Sequence, residues 1–291
     1  MKTTFQRIIT KDNIELAGLL YEPDEGSNKV LVHVHGMAGN FYENKFLDFL
    51  AHTLTANGIA FFVFNNRGCE YIKDMFRVVD GWRKVVRIGD TYEKFEDCIL
   101  DIETAINFVE QKGFTEIHLS GHSLGGPKVA YYVSTTKDRR LKSVIFLSPA
   151  DMVGLAKLDK DYAVDIKMAK EMIAQGKGKE IMPKIIWGEG HLTADTYMDL
   201  SDDKSKVAIF NFYNSKDKFY VLSTISIPAM TIMGRKDGAL SIPIEQTMEI
   251  IKKVMTSSKR VETIILGDAN HQYDGYQQEL ADTVKTWIQK M

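Results

Sequence analysis

The chain has 291 residues, 44% hydrophobic and 26% charged, with 37 Lys and Arg against 39 Asp and Glu for a formal charge of −2. This is the make-up of an ordinary globular protein of one large or two small domains, and it offers no basic surplus for nucleic acid. The start MKTTFQR lacks an apolar core and a cleavage site, no apolar run reaches membrane-spanning length, and two cysteines cannot frame a disulfide network, so a cytoplasmic protein with no membrane partner is expected.

Residues 5–10 and 14–22 alternate apolar and polar side chains around Lys11-Asp12-Asn13, which predicts an antiparallel hairpin. The pattern then changes to short apolar strands at 30–35, 59–65, 116–120, 144–148, 229–233 and 261–266. Helical patterns fall at about 43–57, 93–112, 125–136, 243–256 and 275–290. Alternating strands and helices of this kind predict an α/β protein with a mostly parallel sheet covered on both faces, its site at the carboxyl ends of the strands. The polar, aromatic stretch 70–92 reads as a long loop. Glu93, Glu96 and Asp97 in YEKFEDC read as the first turn of the following helix, where the dipole favours acids.

Residues 151–226 interrupt the alternation with a Lys-rich helical stretch at 158–175, a Gly176-Lys177-Gly178 break and a second helical pattern near 193–200. Their length and position predict a cap inserted over the carboxyl edge, leaving 1–150 and 227–291 as the core. The apolar residues Met168, Met172, Ile185, Ile186, Trp187 and Met198 either face a substrate cavity or pack as helix core; both readings stand, since flexible Met serves both uses.

The chemistry centres on Gly121-His122-Ser123-Leu124-Gly125, a G-x-S-x-G pattern between a strand and a helix. This is the nucleophile elbow, a strained turn that lifts a serine hydroxyl clear of the sheet. Pro127 suits the first helical turn, where its missing N–H is no loss. A serine needs a base, and the base an orienting carboxylate. His271, in the loop after the last predicted strand, is the only histidine beyond the insertion. Asp237, right after the penultimate strand, stands where the acid should be. Asp268 is too close to His271 in sequence to orient it easily, and Asp217 belongs to the insertion as a turn cap. The oxyanion needs two N–H donors, expected from Leu124 and from Met37 in His35-Gly36-Met37-Ala38-Gly39.

His33-Val34-His35 can open a metal site, but His118 and His122 are the only nearby imidazoles, so no metal or other cofactor is expected. His35 is expected to hold the oxyanion loop, and His33 to be buried. Arg67, after a strand, is a candidate for substrate contact or for a loop-bracing ion pair. Cys69 beside it is a candidate to line the site, while Cys98 falls in an amphipathic pattern as a core residue.

On these motifs the chain resembles the α/β-hydrolases over nearly its whole length. The resemblance implies a mostly parallel eight-stranded sheet, an HG oxyanion loop at His35–Gly39, and a triad of Ser123, Asp237 and His271 beneath a variable cap. HGMAGNFYENKF, NNRG, YEKFEDC and LSPADMVG are similar to a branch that includes siderophore-ester hydrolases. Asn66 stands where many members carry an aspartate before Arg-Gly. The expected function is a serine hydrolase cleaving a small or medium carboxylic ester through an acyl-enzyme, with Arg67, Met172 and Trp187 as candidate substrate contacts. A non-catalytic ligand-binding protein on the same scaffold, or an acyltransferase or thioesterase with the same triad, are the alternatives.

Overall fold

The computed structural model describes all 291 residues. Two antiparallel strands, β1 (Lys2–Ile9) and β2 (Ile14–Glu22), form the predicted hairpin. Then follow β3 (Lys29–Val34), α1 (Lys45–Thr55), β4 (Ala60–Phe64), β5 (Lys73–Val79), β6 (Trp82–Ile88), α2 (Cys98–Gln111), β7 (Glu116–His122), α3 (Gly125–Thr136) and β8 (Leu141–Leu147). The inserted segment carries α4 (Met152–Leu158), α5 (Tyr162–Ala174), α6 (Ala194–Ser201) and α7 (Tyr220–Thr224). The chain ends with β9 (Ala229–Met233), α8 (Ile244–Val254), β10 (Val261–Ile265) and α9 (Gln277–Gln289). No helix is long and apolar enough to cross a membrane.

All ten strands join one sheet in the order β10-β9-β8-β7-β3-β4-β2-β5-β6, with β1 on β2. The strands from β10 to β4 are parallel; β1, β2, β5 and β6 are antiparallel. The sheet therefore has two strands more than the eight expected. The extra pair is β5–β6, in the stretch expected to be a loop. Its strands turn at Asp80-Gly81, both at positive φ (50° and 78°), the backbone that a two-residue hairpin turn requires. Its outer residues stay wet, Trp82 being 76% and Val85 66% exposed, which is why the segment does not read as a buried strand.

Alternate residues of the central strands feed two cores, as a pleat with a period of two dictates. Val30, Val32, Val34, Phe62, Val144 and Phe146 pack on one face against α2, α3 and α8. Leu31, Phe61, Val63, Ile145 and Leu147 pack on the other against α1 and α9. Buried residues of the insertion, among them Met182, Leu192, Tyr197 and Phe210, belong to the first of these cores. Met172 packs against that core too.

The acidic run does not start a helix at residue 93. Two short 3-10 turns, Asp90–Tyr92 and Phe95–Asp97, precede α2, and Glu93 lies between them, buried. The reason is an ion pair across the fold: the Lys128 ammonium of α3, fully buried, sits 2.7 Å from Glu93 Oε1. A buried charge needs a partner more than a helix end needs an acid.

Candidate active site

The carboxyl end of β7 runs straight into α3 through Ser123, whose φ of 56° is in the left-handed region that non-glycine residues avoid. The flanking glycines make the turn possible. A Cβ on Gly121 would overlap the carbonyl oxygen of Gly125. The Ser123 carbonyl accepts from Gly126 N (2.9 Å) and Ala150 N (3.2 Å), and its own N–H donates to Leu147 O (3.1 Å), so the strained residue is held on both sides.

Gly36 of the loop after β3 comes so close that a Cβ there would sit 2.6 Å from Ser123 Cβ. The amides of Met37, on this loop, and Leu124, after the serine, make no hydrogen bond within the protein. The loop is pinned by His35, whose Nδ1–H donates to the Gly36 carbonyl (2.9 Å) and whose Nε2 accepts from Asn66 N (3.0 Å). Burial, aided by the Lys128 charge, depresses the His35 pKa to about 3, so the ring is neutral. Asn66 donates from Nδ2 to the His35 carbonyl (3.3 Å) and accepts at Oδ1 from Gly68 N (2.9 Å) and Lys128 Nζ (3.3 Å). An ionised aspartate could accept there but could not donate to His35. Burial and the neighbouring Glu93 carboxylate push Asp90, near Ala38 of the same loop, well above the ordinary carboxylate range.

Asp237 and His271 come from the loops after β9 and β10. Those loops continue the pairing of their strands, with Arg235 N on Gly267 O (3.1 Å) and Lys236 N on Ala269 O (3.0 Å). His271 Nδ1 lies 2.8 Å from Asp237 Oδ1, and the Asp237 side chain is fully buried. Burial would raise the Asp237 pKa, but the hydrogen bond and charge of His271 outweigh it and hold the carboxyl below its ordinary value. Asp268 instead pairs with Lys236, and Asp217 caps a turn by accepting from Phe219 N.

Ser123, His271, Met37 and Trp187 line one cavity of about 780 Å³. No hydrogen bond joins Ser123 to His271. Arg67, Met172 and Cys69 do not line this cavity. Arg67 is spent on Asp101, at 2.7 Å, and on Asp12, at 3.1 Å, bracing the loop rather than meeting a substrate. Cys69 is buried. A larger groove of about 910 Å³ between β5–β6 and α6 takes in Arg67 but none of Ser123, Asp237 and His271.

Two further residues shape the site. His122, the variable position of the elbow, is buried and neutral, and its Nε2 donates to the His271 carbonyl (2.8 Å). Tyr273 donates to Ile232 O (2.9 Å) and accepts from Ser148 Oγ (2.8 Å), tying the His271 loop to the sheet. The strand histidines part ways: His33 Nδ1 meets Ser120 Oγ (2.9 Å), while His35 turns to the loop. The GHS spacing marks His122 as a neighbour of the serine; nothing local marks Tyr273.

The model of the family described as the alpha/beta hydrolase fold matches residues 29–178, just over half of the chain, and the chain belongs to that family. The match includes Ser123; Asp237 and His271 lie beyond it. The chain is 18% identical to Est1E from Butyrivibrio proteoclasticus, solved with ferulic acid bound, over 98% of each chain with a TM-score of 0.68. It is 14% identical to the alpha/beta hydrolase GrgF from Penicillium sp. sh18, over 100% of this chain and 99% of that one, with a TM-score of 0.69. For the Pyrococcus furiosus esterase Pf2001 the values are 16%, 99% of this chain, 91% of that one, and 0.61. At such identities these likenesses establish a shared fold. No curated protein matches the chain.

Proposed function

We propose that the protein is a serine hydrolase that cleaves a small or medium carboxylic ester through an acyl-enzyme. The observation that carries this reading is His271, held by the buried Asp237 carboxylate at 2.8 Å and opening on the same cavity as a serine held at φ 56°. Ser123 Oγ attacks the ester carbonyl while His271 Nε2 takes its proton, and Asp237 holds the ring through Nδ1–H and stabilises the imidazolium. The Ser123–His271 hydrogen bond forms in the substrate complex, where such contacts tighten. The free amides of Met37 and Leu124 receive the oxyanion. The protonated His271 then releases the alcohol, and water activated by the same base frees the acid.

Residues 151–226 act as the cap, Met152, Leu155 and Trp187 forming the roof of the cavity. Esterases among the structures of like fold agree with ester cleavage. The test is labelling by a fluorophosphonate and turnover of p-nitrophenyl butyrate, with Ser123→Ala as control. Labelling and turnover that vanish in the variant are expected. Equal rates in both proteins, or neither signal in wild type, would leave a ligand-binding role on a hydrolase scaffold.

A further inference from the structure

The cavity beside Ser123 carries a one-sided charge. Its lining includes the carboxylates Glu43, Asp159 and Glu189 and no lysine or arginine. On the flanking segments Lys157 pairs with Asp203, Lys184 with Asp161 and Asp165, and Lys236 with Asp268, while Lys45 and Lys160 adjoin lining residues but do not themselves line the cavity. One carboxylate is part of a built corner. Tyr71 Oη donates to Glu189 Oε2 (3.2 Å), and Trp187 lines the same wall.

This corner joins core to cap. The cap side is a tight turn in which Ile186 N donates to Gly190 O (2.8 Å) and Glu189 N to Ile186 O (3.0 Å). Trp187 occupies the left-handed region at φ 54°, a rare placement for a bulky residue. The Tyr71 ring lies so close to Gly190 that a Cβ there would overlap it. On the core side, the Tyr71 backbone is fixed by Thr91 N donating to its carbonyl (2.9 Å).

Two aromatic rings and a carboxylate in a cavity lined by no lysine or arginine form a surface that attracts an ammonium group and repels an anion. We propose that Glu189, Tyr71 and Trp187 select esters bearing a cationic group, so that the substrate class is cationic before neutral, with carboxylate-bearing esters rejected. The inference rests on the hydrolase reading above for its catalytic form, and on the cavity alone for its binding form.

The test uses three butyrate esters of alcohols of like size, one bearing a trimethylammonium, one a tert-butyl and one a carboxylate group. The expected order of kcat/KM is cationic, neutral, anionic, with about tenfold or more between the extremes at low salt and a smaller span at high salt. Glu189→Gln is expected to shrink the cationic-to-anionic ratio severalfold. That ratio is internal to each protein, so a variant that folds poorly still reports it. Rates within twofold across the three esters, alongside brisk turnover of p-nitrophenyl butyrate, overturn the inference and leave the hydrolase reading intact. Where neither turnover nor fluorophosphonate labelling occurs, the hydrolase reading falls first, and calorimetric titration with tetramethylammonium and with pivalate decides the rest. Binding of the ammonium alone keeps the cavity's cation preference; binding of both, of neither or of pivalate alone ends it.

Discussion

Ser123 and Trp187 face one cavity from left-handed backbone at nearly the same φ, 56° and 54°, yet they are held in different ways. Ser123 sits between a buried strand and a buried helix, with its N–H and carbonyl both bonded and two glycines cleared for it. Trp187 sits at the tip of a five-residue turn closed by a few backbone bonds and braced by one tyrosine ring. The difference places the atoms of the proposed chemistry on overdetermined backbone and the selecting side chains on a segment that can be altered at low cost.

The largest expected effect of a single substitution lies behind the elbow. Lys128→Met leaves Glu93 buried without its cation, and a loss of about 3–5 kcal/mol in urea unfolding is expected, as for other broken buried pairs. A loss under 1 kcal/mol would mean that the pair does not hold α3 to the segment before α2.

The next effect separates the two regions by pH. Burial depresses His33 and His35 to about 3, whereas both titrate near 6.5 when unfolded. Between those values the unfolded chain binds more protons, so stability is complete above 6.5 and falls as pH drops toward 3, by up to about 1.4 kcal/mol per pH unit for each ring. Urea titrations at stepped pH check this, and His33→Phe should flatten the slope. An equal slope in wild type and His33→Phe would contradict a neutral buried His33; the variant comparison is needed because Asp90, whose pKa burial raises, bends the curve the other way. The turn at 186–190 holds no histidine.

A smaller effect tests how the base is positioned. His122→Phe keeps the packing but removes the bond to the His271 carbonyl, and kcat is expected to fall about fivefold, near 1 kcal/mol, with KM little changed. A change confined to KM would mean that His122 acts only as the cavity wall it also forms, and that its bond to the His271 carbonyl does not position the base. The smallest effect on stability belongs to the cap. Trp187→Gly relieves a left-handed side chain worth about 1 kcal/mol while giving up its packing on Tyr197, so the melting temperature should move little. The ester selectivity should nevertheless change. A collapse in stability would show the turn to be as fixed as the elbow.

The parts legible in the sequence are those whose signal is local. The elbow turn announces itself in five residues, and Asp237 and His271, the proposed acid and base, stand after the last two parallel strands, where their place in the chain sets them. The hairpin β5–β6 left a signal as well, Asp80-Gly81 between alternating residues, but charged and aromatic side chains on a solvated outer face obscured it. The acidic run at 93–97 shows the limit of local reasoning, because the partner that draws Glu93 inward lies 35 residues away on α3. Arg67 presented both of its readings equally; Asp101 on α2 decides for the brace. Met172 and Trp187 read alike in the sequence and both pack against the same core, but only Trp187, in the turn at 186–190, also reaches the cavity.

The pairing of residues 235–236 with 267–269 past the ends of β9 and β10 has a mechanical consequence. The proposed acid and base, Asp237 and His271, ride on one plate at the margin of the sheet, so thermal breathing of that margin displaces them together. The gap left to fluctuate is the one between this plate and the elbow, which reduces the assembly of the proposed triad to a single degree of freedom.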